Sequence, residues 1–189
     1  MQNPSHLLLL APENFGFNSE TAQDNYFQKE GEIQHIAEKA KNEHGKVLAK
    51  LKEEQIPFDV IEDEKNHQNP DALFLNNWFN VTPNKQLFIY PMKAKNRQRE
   101  VTSSQISKVE KIIQPTSVID LRNYLDKGFY CEGTGALIFD YAYKTIYANI
   151  SQRCNEKIVN EVAEKLGMES FKKPIFLTLI ESKEAIFFR

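Results

Sequence analysis

The phrase Phe74-Leu75-Asn76-Asn77 decides how this chain is interpreted, because similar phrases stand before and after it. Each phrase begins with phenylalanine and ends three residues later on a polar side chain, and the other two are Phe15-Gly16-Phe17-Asn18 and Phe129-Tyr130-Cys131-Glu132. Their first residues, 15, 74 and 129, are 59 and 55 positions apart. Repetition at such a period is typical of propellers and other repeat architectures, although so short a phrase also recurs by chance.

The pattern around the second phrase predicts two strands, a helix and a third strand. Apolar runs rich in β-forming residues predict strands at 72–75, 86–90 and 117–121. Between the last two, apolar residues at helical spacing predict a helix that Ser103 caps and that ends before Pro115.

The third unit has the same order of elements, and the first is a shorter version of it. The elements predicted for the third unit are paired strands at 136–140 and 145–150, a helix over 154–166 that ends at Gly167, and a strand at 174–180. Those predicted for the first unit are a strand at 7–10, a polar connection over 13–30, a helix over 31–55 and a strand at 58–61. We therefore expect an α/β fold built of ββαβ repeats.

The composition excludes several classes of protein. The chain has 189 residues, of which 41% are hydrophobic and 26% charged, and this suits a folded domain. The longest apolar run, 7–11, is too short to span a bilayer, and the N-terminus lacks the basic region of a signal peptide. A net charge of -2 argues against nucleic-acid binding. Two cysteines make neither a disulfide framework nor a zinc cluster, so we expect a cytoplasmic protein.

The polar ends of the repeated phrases indicate a ligand class. In a radial array of repeats, such ends converge on the central axis. A converging set of Asn, Asp and Glu side chains suits a planar cation rich in hydrogen-bond donors, such as a guanidinium, which pairs bidentately with a carboxylate.

Glu132-Gly133-Thr134-Gly135 is the most distinctive local motif. Its glycines allow the backbone to approach a ligand closely, and Glu132 lies at the entrance of the loop. The alternative is a glycine-rich turn that carries a solvated glutamate. It is not a phosphate-binding loop, because no Gly-Lys-Ser/Thr follows.

Arg153 and Cys154 stand where a predicted strand gives way to a helix. At that place Arg153 is suited to bind a substrate carboxylate, helped by the helix N-terminus, or it is simply a surface arginine. Cys154 at a helix start can have a lowered pKa and act as a nucleophile, although such cysteines more often fill buried space.

Three other groups of residues permit several interpretations. Glu62-Asp63-Glu64 with His67 suggests metal binding, but a clean ligand spacing is missing, so we expect a solvated acidic loop and no metal. The basic stretch from Lys93 to Arg99 indicates a solvated loop, or else Arg97 or Arg99 pairs with carboxylates of the repeats. The four histidines, of which His35 and His44 lie on the first predicted helix, show no pairing with Cys or Ser.

Longer motifs identify a family. They are Pro12-x-x-Phe15, Thr21-Ala22-x-x-Asn25-x-Phe27-Gln28, Pro70-Asp71-Ala72-Leu73-Phe74-Leu75-Asn76-Asn77-Trp78-Phe79, Tyr90-Pro91-Met92, Arg97-x-Arg99-Glu100, Glu132-Gly133-Thr134-Gly135 and Ser151-x-Arg153. Together they resemble amidinotransferase-type members of the pentein superfamily. The most similar group is the branch related to arginine deiminase and associated with citrulline, and dimethylargininases and glycine amidinotransferases are more distant.

This resemblance implies a five-bladed α/β-propeller with a central guanidine site and no cofactor. In the family a Cys thiolate attacks the guanidinium carbon, a His acts as acid and base, and carboxylates hold the guanidinium. By resemblance, Glu132 is the guanidinium-binding carboxylate, Asn77 replaces a substrate-binding Asp, and Arg153 binds the substrate carboxylate. Asp71 and Arg97 are further substrate-binding residues on the same grounds.

The chain departs from the family at several positions. Leu177 in Phe176-Leu177-Thr178-Leu179 falls where the family has the His of a Tyr-His-Thr-Asn phrase, and Asn80-Val81-Thr82 stands where relatives often carry a His. Neither Cys131 nor Cys154 is at the position of the nucleophile. The sequence from Leu177 onward fits poorly, as after a frameshift or a premature stop.

We therefore expect one truncated domain over residues 1–189, with about three of five blades. The expected blades are 1–65, 66–125 and 126–173, and a fourth begins over 174–189. Three hypotheses remain: a guanidino-modifying enzyme by descent that is inactive or impaired alone, a non-catalytic module that binds a guanidine such as arginine, and a gene fragment without function. Open strand edges also predict self-association.

Overall fold

The computed structural model describes residues 4–22, 35–64 and 69–171, in which eight strands form three separate sheets. The first sheet pairs β1 (Leu7–Leu10) in parallel with β2 (Phe58–Ile61). Two helices, α1 (Ser19–Ala22) and α2 (Ile36–Glu53), lie between these strands in the chain. Residues 31–34 of the predicted helix and 23–30 of the predicted connection lie outside the described residues.

The second and third sheets each have the predicted ββαβ order. In the second, β3 (Phe79–Val81) is antiparallel to β4 (Gln86–Ile89), and β4 is parallel to β5 (Ser117–Asp120). The helices between β4 and β5 are α3 (Lys95–Gln98) and α4 (Ser103–Ile113). The α/β fold of ββαβ units is thereby confirmed.

The third sheet has the same pairings. A short helix, α5 (Gly133–Ala136), leads into β6 (Leu137–Asp140), which is antiparallel to β7 (Thr145–Ala148). The helix α6 (Glu156–Leu166) then returns the chain to β8 (Glu169–Phe171), which is parallel to β7. The predicted strand at 174–180 lies outside the described residues.

The prediction of a strand at 72–75 is wrong. Residues 71–73 form a turn, a 3₁₀ helix covers Leu75–Asn77, and the strand begins only at Phe79. The carbonyl groups of Asp71 and Phe74 accept hydrogen bonds from Nη2 of Arg97, at 3.1 and 3.2 Å, so a side chain takes the place of a neighbouring strand. An apolar run alone does not reveal such a partner.

Two helix starts also differ from the prediction. Thr102, not Ser103, caps α4, because its extended backbone lets its hydroxyl accept a hydrogen bond from the Gln105 backbone N–H. The third-unit helix starts at Glu156, after Asn155 as its cap, and not at Cys154. Its predicted end is confirmed, since Gly167 adopts the left-handed conformation there.

The strand β4 is the centre of the core. Its alternate side chains separate into two apolar clusters, with Leu87 and Ile89 in one, and Phe88 in the other together with Tyr90. These four side chains are at most 1% exposed, so β4 is buried on both faces. Within the described ranges, no helix has the length and apolar character needed to cross a membrane.

Candidate functional site

Two of the repeated phrases meet in space where the 3₁₀ helix Leu75–Asn77 packs against α5. The hydroxyl of Thr134 donates to the carbonyl of Asn76 at 3.3 Å. Gly133 and Gly135 permit this approach: a Cβ on Gly133 would collide with the carbonyl of Asn76, and one on Gly135 would lie 3.0 Å from Asn77 Nδ2. The sequence predicts that these glycines let the backbone approach a ligand, and in the structure they let the loop of Asn76 and Asn77 approach α5.

Glu132 is the centre of this meeting point. Its side chain is buried, and its Oε2 accepts from Arg153 Nη1 at 3.1 Å and from Asn77 Nδ2 at 3.4 Å. Its Oε1 accepts from the backbone N–H of Lys93 at 3.3 Å. The alternative of a solvated glutamate on a glycine-rich turn does not hold. Glu132 is thus a buried carboxylate that already accepts a charge-assisted hydrogen bond from a guanidinium group.

Arg153 connects Glu132 to the first unit of the chain. It lies on the tight turn Ser151–Cys154, and its side chain is 22% exposed. While Nη1 contacts Glu132, Nη2 donates to the carbonyl of Thr21 at 3.3 Å. Arg153 is therefore partly buried and paired, not an ordinary surface arginine.

Asp71 extends the same network inward. The side chain is 3% exposed, and its Oδ2 accepts from Asn18 Nδ2 at 2.7 Å and from the Thr21 hydroxyl at 2.9 Å. Asn18 in turn accepts from Asn96 Nδ2. The three polar residues that end the repeated phrases, Asn18, Asn77 and Glu132, thus lie on one chain of hydrogen bonds.

Arg97 contacts this network from the interior. Its Nε and Nη2 pair with the two carboxylate oxygens of Glu100, each at 2.9 Å, and both side chains are 3% exposed. The same Nη2 holds the carbonyls of Asp71 and Phe74. Burial raises the pKa of Glu100 to about 7, with Asp71 and Asp63 adding to this effect and Arg97 opposing it. Arg97 thus fixes, through these two hydrogen bonds, the backbone of the loop that leads to Asn77.

The comparison with protein families identifies the chain. The model described as "N,N dimethylarginine dimethylhydrolase, eukaryotic" matches residues 11–188. The chain belongs to this family. The resemblance to the pentein superfamily is thereby confirmed, whereas the placement nearest the arginine deiminase branch stays a prediction. A comparison with curated protein sequences found no match.

Solved structures of family relatives share the fold. The product-bound N-terminal domain of ArgZ, an arginine dihydrolase from cyanobacteria, matches with a TM-score of 0.67 and 19% identity over 87% of this chain and 55% of its own. A mutant dimethylargininase from Pseudomonas aeruginosa complexed with citrulline matches with a TM-score of 0.61 and 16% identity, over 88% of this chain and 59% of its own. A mutant of AgrE in complex with L-arginine matches with a TM-score of 0.65 and 19% identity, over 86% of this chain and 22% of its own. The chain thus spans little more than half the length of the ArgZ domain and of the Pseudomonas enzyme.

The two cysteines of this family member lie beside the site but are buried. Cys131 precedes Glu132, Cys154 follows Arg153, and neither side chain is exposed. The two thiols are in hydrogen-bonding contact, and this contact together with burial raises the pKa of Cys131, whereas the contact lowers that of Cys154. This environment fits the interpretation of Cys154 as a filler of buried space.

Two of the three histidines that the structure describes, His6 and His35, contact carboxylates away from the site. His6 Nε2 lies 2.8 Å from Asp59, and His35, which directly precedes α2, lies 3.3 Å from Glu38. His44 lies on α2, and His67 is outside the described residues. Within the described ranges, the partners of the Glu132 carboxylate are Asn77, Lys93 and Arg153, and no histidine is among them.

The acidic segment 62–64 is only in part the solvated loop predicted from the sequence, since Glu62 is exposed but its two neighbours are not. Asp63 is buried and accepts from Asn69 Nδ2 at 3.1 Å, and Glu64 accepts from the hydroxyl of Thr102. Among residues 4–22, 35–64 and 69–171, no three His, Cys, Asp or Glu side chains are grouped so as to hold a metal ion. The basic stretch is likewise divided, with Arg97 buried and Arg99 exposed.

Sequence reasoning missed several members of the network. Thr21, Asn96 and Glu100 were not candidates, although Thr21 and Glu100 fall within motifs that carry the family resemblance. The roles of Thr21 and Asn96 depend on contacts between units 50 or more residues apart, as in the Thr21–Asp71 hydrogen bond, whereas Glu100 pairs with Arg97 three residues before it. A groove of about 1030 Å³ opens beside the network and is lined by Asn76, Thr134 and apolar side chains such as Phe79 and Leu137.

Proposed function

We propose that this chain binds a guanidino compound such as arginine, in the manner of the guanidino-modifying enzymes of its family, and that it does not turn the compound over by itself. The observation that carries the proposal is the buried carboxylate of Glu132, which already accepts a hydrogen bond from the guanidinium group of Arg153. The chemistry of the site therefore matches the ligand class.

In this proposal the ligand guanidinium replaces that of Arg153 beside Glu132. Asn77, which contacts the same oxygen of Glu132, orients the carboxylate. Arg153, released from Glu132, pairs with the carboxylate of the ligand, a group that the planar fork of arginine binds well. Asp71 takes part through Thr21, whose carbonyl holds Arg153.

The absence of turnover follows from the residues that such chemistry needs. A covalent mechanism requires an exposed thiolate and a nearby general acid and base. Cys131 and Cys154, the chain's two cysteines, are buried against each other. His6 and His35 are engaged with Asp59 and Glu38, and the resemblance aligns Leu177 with the family's catalytic His.

The proposal is tested by incubating the purified chain with L-arginine and assaying citrulline, ammonia and ornithine. We expect no product above the level without protein, while equilibrium dialysis shows bound arginine. Appreciable turnover that Glu132→Ala abolishes would contradict the proposal that the chain is inactive by itself. Turnover that Cys154→Ala abolishes would instead reveal a relocated nucleophile.

Two other predictions belong to this proposal. Self-association is expected because, in the part of the chain that the structure describes, β3 and β6 each pair with a strand on one side only. Light scattering that shows a clean monomer would contradict it. Two unpaired cysteines also fit a reducing compartment, and we propose the cytoplasm.

A further inference from the structure

Cys131 and Cys154 face each other across an antiparallel β-bridge. Two backbone hydrogen bonds flank the pair, from Asn155 N to the carbonyl of Tyr130 at 2.7 Å and from Glu132 N to the carbonyl of Arg153 at 3.0 Å. The cysteines themselves exchange no backbone bond, so they form a non-hydrogen-bonded pair. In such pairs the Cα atoms approach to about 4.5 Å, which falls within the range that a disulfide spans.

We propose that Cys131 and Cys154 form a reversible disulfide, so that this pair is an oxidative modification site built into the two segments that carry Glu132 and Arg153. The inference does not depend on which ligand Glu132 binds. It rests on the register of the bridge, on the contact between the two thiols and on the position of each cysteine next to a residue of the ion pair.

The environment of the two thiols indicates the order of events. Cys154 ends the turn Ser151–Cys154, whose tip is exposed, and its contact with Cys131 lowers its pKa, so its thiolate is the one that meets the oxidant first. With hydrogen peroxide as oxidant, the Cys154 thiolate attacks one peroxide oxygen, which gives a sulfenic acid and hydroxide. Cys131 then loses its proton, and its sulfur attacks Cys154 Sγ and displaces the sulfenic oxygen as hydroxide. In total, two thiols and one peroxide yield one disulfide and two waters.

Access to the buried pair is provided by the turn Ser151–Cys154. Gln152 is exposed at its tip, and the turn is closed by reciprocal backbone bonds between Ser151 and Cys154 at 3.1 and 3.2 Å. Opening of this turn breaks these two bonds and the contacts of Arg153 with Glu132 and Thr21, while the preceding strands β6 and β7 stay paired. A small oxidant such as peroxide reaches Cys154 in that state more readily than a bulky disulfide does.

Once formed, the disulfide would hold Glu132 and Arg153 at a fixed backbone separation. Each is the immediate chain neighbour of one cysteine, and their side chains form the ion pair at 3.1 Å. Oxidation would therefore make the ion pair more rigid without adding a charge to the site.

The test is to treat the reduced chain with hydrogen peroxide, alkylate the remaining thiols and map the peptides. Trypsin cleaves after Lys127, Lys144, Arg153 and Lys157, so the cysteines fall in the separate peptides 128–144 and 154–157. We expect these two peptides to become linked within one molecule, both titratable thiols to be lost, and dithiothreitol to restore them.

Controls keep the outcome decisive. The same chain unfolded in urea shows that the peroxide dose oxidises accessible thiols. Cys131→Ser should stop the reaction of Cys154 at a sulfenic acid that a dimedone probe captures. The proposal would be overturned if the thiols persist in the folded chain, are oxidised to sulfinic acids, or form disulfides between two molecules. This measurement uses the unaltered chain, so it does not depend on the folding of a variant.

Discussion

Arg153 Nη1 donates to Glu132 Oε2 across 3.1 Å, and this pair joins the third repeated phrase to the turn before α6. The Arg153 side chain is 22% exposed and that of Glu132 only 3%. A guanidinium group therefore already occupies the outer side of a buried carboxylate. The protein shows with its own arginine the contact that we propose for a ligand.

The first prediction concerns removal of that resident guanidinium. Arg153→Ala leaves Glu132 buried with one cationic donor fewer, so we expect a loss of about 1–3 kcal/mol in the free energy of unfolding, measured by urea titration. Millimolar guanidinium chloride should restore part of this stability, because an ion that binds only the folded state stabilises it.

Two controls accompany this experiment. Sodium chloride at the same ionic strength should restore nothing, and Arg99→Ala, which removes an exposed arginine, should show no response to guanidinium. Equal recovery with either salt would contradict a specific guanidinium site at Glu132.

The second prediction concerns the close approach at Gly133. Gly133→Ala places a Cβ against the carbonyl oxygens of Asn76 and Asn77 at a positive φ of 39°, so we expect a loss of about 2–5 kcal/mol. Gly128→Ala is the matched control, since Gly128 has a φ of 68° but nothing within 4 Å of its Cβ position. It should cost only about 1–2 kcal/mol. Equal losses in thermal unfolding would show that the Asn76–Asn77 contact is unimportant.

The third prediction concerns Arg97 as the clamp of the 71–74 turn. Arg97→Ala leaves Glu100 buried without its cation and frees the carbonyls of Asp71 and Phe74. At pH 8, above the pKa of about 7 at Glu100, we expect a loss of about 3–5 kcal/mol in urea unfolding. Arg99→Ala, two residues along and exposed, should change stability by less than about 0.5 kcal/mol. A small effect at position 97 would mean that the ion pair contributes little.

The fourth prediction is a pH dependence that originates at Glu100. Burial raises its pKa from 4.5 to about 7, so between these values the folded state holds a proton that the unfolded state has released. Stability therefore falls as the pH rises through this window, by about 3 kcal/mol for this one group. The difference in unfolding free energy between the native chain and Glu100→Gln should change by that amount from pH 4.5 to 7. A difference that is flat with pH would contradict the raised pKa.

The sequence predicts best what depends on local pattern. The strand at β4, the helix ends at Gly167 and Gln114–Pro115, and the ββαβ order all follow from neighbouring residues, and the structure agrees. The sequence also predicts that polar ends of the repeated phrases converge, and Asn77 and Glu132 are in direct contact. Asn18 reaches them only through Asp71, Thr21 and Arg153.

What depends on distant partners was not predictable in the same way. The turn at 71–73 looks like a strand because its hydrogen-bond partner, Arg97, comes more than 20 residues later. Asp63 looks like a surface residue because the amides that bury it, Asn69 and Gln105, belong to other elements. Arg97 and Arg99 differ by two positions, and only packing decides that the first is buried.

The most direct test of the guanidine site compares L-arginine with L-citrulline, which replaces the charged guanidinium by a neutral urea group, in calorimetric titrations of the chain. A charged hydrogen bond of about 1.5–3 kcal/mol predicts that arginine binds roughly 10- to 100-fold more tightly. Glu132→Gln should remove this preference, whereas Glu164→Gln, an exposed residue of α6, should retain it. Failure to bind arginine, equal affinity for both ligands, or an unchanged preference in Glu132→Gln would contradict the account.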